Sequence, residues 1–167
     1  MNQWIDVLKK NSINDLKKLI KNGEDLNDKN ESGESVLVYA LRNHCDYSIL
    51  MELVKNGSDI YAVDEGGVSV FEMAITYNNI KMVEYFLNKE IDVNKTKRKS
   101  GFTPLMCASC YGRSEIVKIL LDNGANKDAR DSKGISATDF ARKMNKKSVL
   151  KLFGFDESLV QNKTYAR

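Results

Sequence analysis

The sequence predicts an all-α repeat solenoid of about five helix pairs, terminal caps included, with hairpin fingers joining each pair to the next. Two recurrences carry this expectation. Glycine, then Ser or Thr two residues on, then an apolar stretch ending in Ala occurs at Gly33–Ala40 (GESVLVYA), Gly67–Ala74 (GVSVFEMA), Gly101–Ala108 (GFTPLMCA) and Gly134–Ala141 (GISATDFA), the glycines lying 34, 34 and 33 residues apart. An apolar pair followed by a turn recurs in the same phase: Leu19-Ile20 with Gly23, Leu53-Val54 with Gly57, Leu120-Leu121 with Gly124, and Phe86-Leu87 with Glu90 where glycine is expected. Self-similarity at this period is the signature of stacked supersecondary units, none of which buries its apolar face alone.

The physics of each unit follows in chain order. Ser35, Ser69, Thr103 and Ser136 stand at predicted helix starts, where a hydroxyl accepts a bond from an otherwise unpaired backbone N–H. Pro104 fits the first helical position, because its missing N–H is harmless there and its φ is already helical. The first helix is short, ending near Asn78-Asn79 in one unit and near Gly112 in the next. A second helix such as SEIVKILLDNG places Ile116, Val117, Leu120 and Leu121 on one face, and Gly124 can close it in the left-handed conformation. The stretch to Asp131-Ser132-Lys133-Gly134 then reads as an extended arm with a polar turn.

The run GFTPLMCASCYGRSEIVKILLDNGANKDAR closely resembles the ankyrin repeat, whose pattern is G-x-T-P-L-H-x-A, a helix with V-x-x-L-L, then G-A-D and a finger. The resemblance implies one domain over residues 1–154, with an N-terminal cap at 2–29, repeats at 30–63, 64–97, 98–130 and 131–154, and a tail at 155–167. Residues 2–29 keep only the Leu-Ile-Lys-Asn-Gly end, and the last repeat matches partially. Two single-residue insertions depart from the pattern, near Arg42–Tyr47 between helices and near Lys95–Ser100 in a finger. At the family's histidine column stand Val38, Glu72, Met106 and Asp139, so the bonding that histidine supplies must be replaced or lost.

Composition narrows the function classes. With 42% apolar and 29% charged residues the chain can bury a core, and it has no apolar run long enough to span a membrane. MNQWIDVLKK is amphipathic and is not expected to be a secretion signal. Three cysteines form no even framework, which points to a reducing, cytoplasmic setting. A net charge of +3 does not by itself call for nucleic acid. Cys107 and Cys110 make a CxxC spacing, but Cys107 shares a column with Tyr39, Met73 and Phe140 and is expected to fill a seam between repeats. A redox pair would sit at a helix start, where the dipole lowers a thiol pKa, and these positions lie past the first turn. The single histidine, His44, has no companion motif for a catalytic triad, and no phosphate-binding loop is present. No enzyme is expected.

The resemblance implies a module that binds another protein through a concave groove and its fingers, acting as a monomer. Glu65, Val68, Tyr77, Lys99, Phe102, Cys110, Tyr111 and Lys133 form the expected contact stripe. Tyr77 and Tyr111 share one column at the ends of adjacent first helices, and tyrosine is favoured at binding hot spots. Phe102 and Val68 are expected as exposed anchors, and Lys95-Thr96-Lys97-Arg98-Lys99 as a finger projecting four cations opposite the acidic fingers around Glu31 and Asp64-Glu65. The alternative is a haem-handling accessory role of the catalase-associated bacterial ankyrin type, with His44, Tyr47 and Tyr61 as ligand candidates and a composition suited to an AT-rich bacterial genome.

Overall fold

A computed structural model describes residues 1–155. Among these are ten helices in five pairs: α1 (Asn2–Lys9) with α2 (Ile13–Lys21), α3 (Val36–Arg42) with α4 (Tyr47–Lys55), α5 (Val70–Thr76) with α6 (Ile80–Leu87), α7 (Pro104–Tyr111) with α8 (Ser114–Asp122), and α9 (Ala137–Lys143) with α10 (Lys147–Leu152). The odd-numbered helices, the inner helix of each pair, stack into one layer, α1 on α3 on α5 on α7 on α9, and the even-numbered ones are the outer helices. The even-numbered helices form a second layer, with α2 against α4, α6 against α8 and α8 against α10. The tail expected at 155–167 lies, apart from Phe155, outside the described residues.

The helix starts are built as their sequence demands. Ser35, Ser69, Thr103 and Ser136 each accept a bond from the N–H three residues on, at 3.2–3.3 Å. Each inner helix is followed by a left-handed residue: Asn11, His44, Asn78, Gly112 and Asn145 have φ of 50°, 51°, 58°, 71° and 51°. Only one of these five is glycine. The outer helices end in a second left-handed turn at Gly23, Gly57 and Gly124, and Glu90 takes φ 57° where that column lacks glycine.

The seams between pairs are apolar and closed. Leu37, Ala40 and Leu41 of α3, Phe71, Ala74 and Ile75 of α5, and Leu105, Cys107 and Ala108 of α7 are all buried. Cys107 lies against Thr76, sulfur to Oγ1 at 3.4 Å, and burial pushes its thiol up to about 11. At the face a further pair would meet, α9 is charged instead: Asp139 and Arg142 stand in the columns of Met106 and Ser109, pair with each other at 3.0 Å, and add Arg130 at 3.6 Å.

The histidine column resolves in three ways across the four repeats. Glu72 and Asp139 close capping boxes by accepting bonds from the Ser69 and Ser136 N–H groups, both at 3.0 Å. The Met106 sulfur receives the Thr103 N–H at 3.4 Å, whereas Val38 offers no acceptor and the bond is lost.

Candidate functional site

The four fingers protrude beside the inner helices. Three close with a single antiparallel bridge, Lys29 to Ser35, Val63 to Ser69 and Arg130 to Ser136. Among the described residues the third finger, Lys95 to Ser100, has no such bridge, and it carries the extra residue. Its backbone instead turns at Thr96, whose Oγ1 accepts the Arg98 N–H at 3.1 Å.

That turn corrects one expectation. Arg98 does not project into solvent with its lysine neighbours. Its Nε donates to Glu72 Oε1 at 2.8 Å, and its guanidinium lies 4.9 Å from the centre of the Phe102 ring. The Glu72 side chain is 1% exposed, so this bond satisfies a carboxylate that has left water. Gly67 makes room for the finger, since a Cβ there would sit 2.5 Å from the Lys97 carbonyl oxygen.

Phe102 is corrected with it. Expected as an exposed anchor, it is half-buried, clamped between Arg98 and Phe140, the two rings at 84° with centres 5.0 Å apart. Val68 is likewise half-buried beside Asp64, whose Oδ1 accepts its N–H at 2.8 Å. Glu65, Lys99 and Lys133 are exposed at the fingertips.

Between the fingers and the helix ends runs a strip of aromatic and polar groups. Tyr77 caps α5 and is half-buried, with the His44 ring edge-on at 6.4 Å. Burial first, and then the neighbouring Glu34 carboxylate, push its phenol above the usual value; Tyr111 adds to the rise and Arg42 opposes it. Those influences place Tyr77 in one electrostatic neighbourhood with Tyr111 and with the Glu34–Arg42 ion pair, whose oxygen and nitrogen are 3.0 Å apart. Tyr111 itself is 48% exposed. Cys110, half-buried, precedes it on α7.

Arg113 holds the strip in register. Its Nε and Nη2 donate to the Thr76 carbonyl at 3.2 and 2.7 Å, satisfying the C-terminal end of α5 from the next repeat. Sequence reasoning missed this clamp, the Glu34–Arg42 pair and the inward turn of Arg98. The signal for Arg98 was present: a glutamate in a core-facing column requires a cation, and the adjacent finger is rich in them.

The haem-ligand candidates do not converge. His44 packs on Tyr77, while Tyr47, the first residue of α4, has the Lys81 ammonium 5.6 Å from its ring centre. Tyr61 lies beyond the other end of α4 and lines a cleft of about 390 Å³ with Val63, Phe71 and Ile91, to which neither His44 nor Tyr47 contributes. Among the described residues no group of three or more His, Cys, Asp or Glu could hold a metal ion, and no helix is long and apolar enough to cross a membrane.

This architecture is a helical repeat array with a side-chain strip and fingers along one edge. The family model described as ankyrin repeats (3 copies) matches residues 5–97 and 44–131, which together cover well over half of the chain, and the protein belongs to the ankyrin repeat family. Curated relatives include E3 ubiquitin-protein ligase hecd-1 of Caenorhabditis elegans, 45% identical over 69 residues, which are 41% of this chain and 2% of that protein. Ankyrin repeat and SAM domain-containing protein 6 of Rattus norvegicus is 34% identical over 73 residues, 44% of this chain and 8% of its own length. Ankyrin repeat, SAM and basic leucine zipper domain-containing protein 1 of Pongo abelii is 33% identical over 82 residues, 48% and 17%. The chain thus spans between 2% and 17% of the length of these three relatives. All three are animal proteins, and they lend no support to the bacterial origin expected from composition.

Proposed function

We propose that this array is a non-enzymatic module that grips a partner protein in the strip between its inner helices and fingers. Ankyrin repeats are generally protein-binding modules. The contact residues of the proposal are Glu65, Val68, Tyr77, Lys99, Cys110, Tyr111 and Lys133, with Phe102 acting as the packed floor beneath Arg98. The single observation that carries the reading is the pairing of Tyr77 and Tyr111 in one column. Tyr111 is half in water, with the Arg113 guanidinium 5.9 Å from its ring centre, and Tyr77, packed on the core and edge-on to His44, keeps part of its ring open. Tyrosines so placed offer large contact area at low entropic cost.

The experiment is affinity capture from eukaryotic cell lysate with the intact chain and with Y111A and Y77A/Y111A, followed by mass spectrometry. Proteins held by the wild type should be lost with both variants. Y111A should cost at most about 0.5 kcal/mol, because its half-exposed ring loses chiefly the Arg113 guanidinium beside it; Y77A should cost about 1 kcal/mol, because its half-buried ring leaves a gap beside His44. Capture of the same proteins by Y77A/Y111A would overturn the reading.

A further inference from the structure

We infer that the partner segment is extended and electrically asymmetric, basic at the end lying over the first two fingers and acidic at the end lying over the last two. The inference rests on the groove reading and names the chemistry of what the groove holds.

The charges at the fingertips separate by sign once internal pairs are removed. Glu34 is neutralised by Arg42, and Arg98 by Glu72. What remains on the first two fingers is Glu31, Asp64 and Glu65, which border one shared recess of about 510 Å³ together with the single cation Lys29. On the last two fingers the exposed charges are Lys95, Lys97, Lys99, Arg130 and Lys133, of which Lys95 and Lys97 border the Tyr61 cleft and Arg130 faces Asp139 at 3.6 Å. Asp131 offsets one of these cations; like Asp64 it turns its Oδ1 into its own loop, accepting the Lys133 and Ile135 N–H groups at 2.9 Å each, and the last two fingers stay net positive. Beyond the strip, Lys143 is exposed in the column of Cys110 and extends the positive end.

Distance makes the separation effective. Adjacent repeats are about 10 Å apart, so the acidic and basic halves are separated by about two Debye lengths at physiological salt and do not cancel in solution. A segment of about nine extended residues, at about 3.3 Å each, spans all four fingers. Its ends then see opposite fields while its middle lies on Tyr77 and Tyr111. A uniformly charged segment would be attracted at one end and repelled at the other, and so would bind worse than an oppositely polarised one.

The test is selection of random twelve-residue peptides displayed on phage against the immobilised full chain at about 50 mM salt, with deep sequencing. Enriched peptides should be basic at one end and acidic at the other, in one orientation. E31K/E65K should abolish the preference at the basic end only, and K99E/K133E at the acidic end only, each weakening a synthetic wild-type-selected peptide by about fivefold at low salt and less at 500 mM. Circular dichroism of each variant should match the wild type, since all four side chains are exposed. Enriched peptides that are uniformly charged or uncharged, or reversals that leave end preferences unchanged, would overturn the polarity while leaving the groove reading intact. No enrichment, or enrichment that survives Y77A/Y111A, would overturn both.

Discussion

Replacing Arg98 with alanine is a direct test of how the third finger is anchored. Glu72 Oε2 keeps its bonds from the Ser69 N–H and Oγ, at 3.0 and 3.1 Å, but among the described residues Oε1 accepts from Arg98 alone. Removing one partner of a fully buried ion pair costs about 3–5 kcal/mol, because the other charge stays behind without compensation. Arg98 is 27% exposed, so water can reach the vacated space, which lowers the expected cost to about 2 kcal/mol. Loss of the guanidinium over Phe102 adds about 0.5 kcal/mol. The total, about 2–3 kcal/mol, corresponds to a fall of about 5–10 °C in melting midpoint for a domain of this size. The second half of the test is the double variant E72M/R98A. Methionine already occupies this column at Met106, where it is fully buried and its sulfur receives the capping N–H. The double variant should therefore recover to within about 1 kcal/mol of the wild type. Urea unfolding followed by circular dichroism at 222 nm measures all the corners of the cycle. An R98A cost below about 0.5 kcal/mol, or a double variant as weak as the sum of the singles, would refute the buried pair as the anchor.

Four further outcomes follow from particular positions. E90G should stabilise the chain by about 0.5–1 kcal/mol, because Glu90 holds φ 57° on an exposed turn where glycine pays less strain, partly offset by the greater freedom of glycine in the unfolded chain; a lower urea midpoint would refute it. G67A should cost at least about 2 kcal/mol and speed tryptic cleavage at Lys95, Lys97 and Lys99, since its Cβ would collide with the Lys97 carbonyl; wild-type cleavage rates would show that the finger does not rest there. Of the three thiols, Cys110 should react readily with a disulfide reagent at pH 8 and C110S should remove that phase, because burial pushes Cys45 and Cys107 each up to about 11. The same two shifts set a pH dependence: in the unfolded chain these thiols ionise from about pH 9, in the folded chain only near 11. Their contribution to stability is therefore complete below pH 9 and is lost as pH rises towards 11, which urea midpoints at pH 8 and 10.5 will register.

The parts legible in the sequence were those decided within a few residues of chain. Ser35, Ser69, Thr103 and Ser136 cap helices because a cap needs only its own hydroxyl and an N–H three positions on. Cys107 proved buried because its column is apolar in every repeat, which is a property of one position read four times. What the columns could not show is which long side chain reaches across a seam. Arg98 and Glu72 are 26 residues apart, and Arg113 and Thr76 37 apart, and in both cases the arginine satisfies a group belonging to the preceding repeat. Phe102 was misread for a related reason. A position just after a finger glycine is exposed only if the finger stands clear of it, and here the extra residue in Lys95–Ser100 lays Arg98 across the ring. The contact stripe was legible as a set of columns, but the half-burial of Val68, Tyr77 and Cys110 depends on neighbours that a single column does not contain.

These two kinds of interaction divide the molecule in a way that bears on its function. Stability resides in the closed apolar seams, in local caps such as Thr103 accepting the Met106 N–H, and in clamps that reach along the stack, such as Arg113 on the Thr76 carbonyl. The fingertip charges Glu31, Glu65, Lys99 and Lys133 contribute almost nothing to those seams, because they are in water and an exposed charge is worth little to folding. Such positions are free to change sign without unfolding the array, so they can encode which partner is accepted. The third finger departs from this division. Its lysines face solvent while Arg98, between them, is bound to a buried carboxylate, so the orientation of the positive tip is fixed by the core of the preceding repeat. An Arg-to-Lys exchange at 98 would keep the net charge and lose the stacked, directional Nε bond. The finger would then carry the same charge with its direction no longer imposed, and selectivity for an oriented partner should fall further than affinity does.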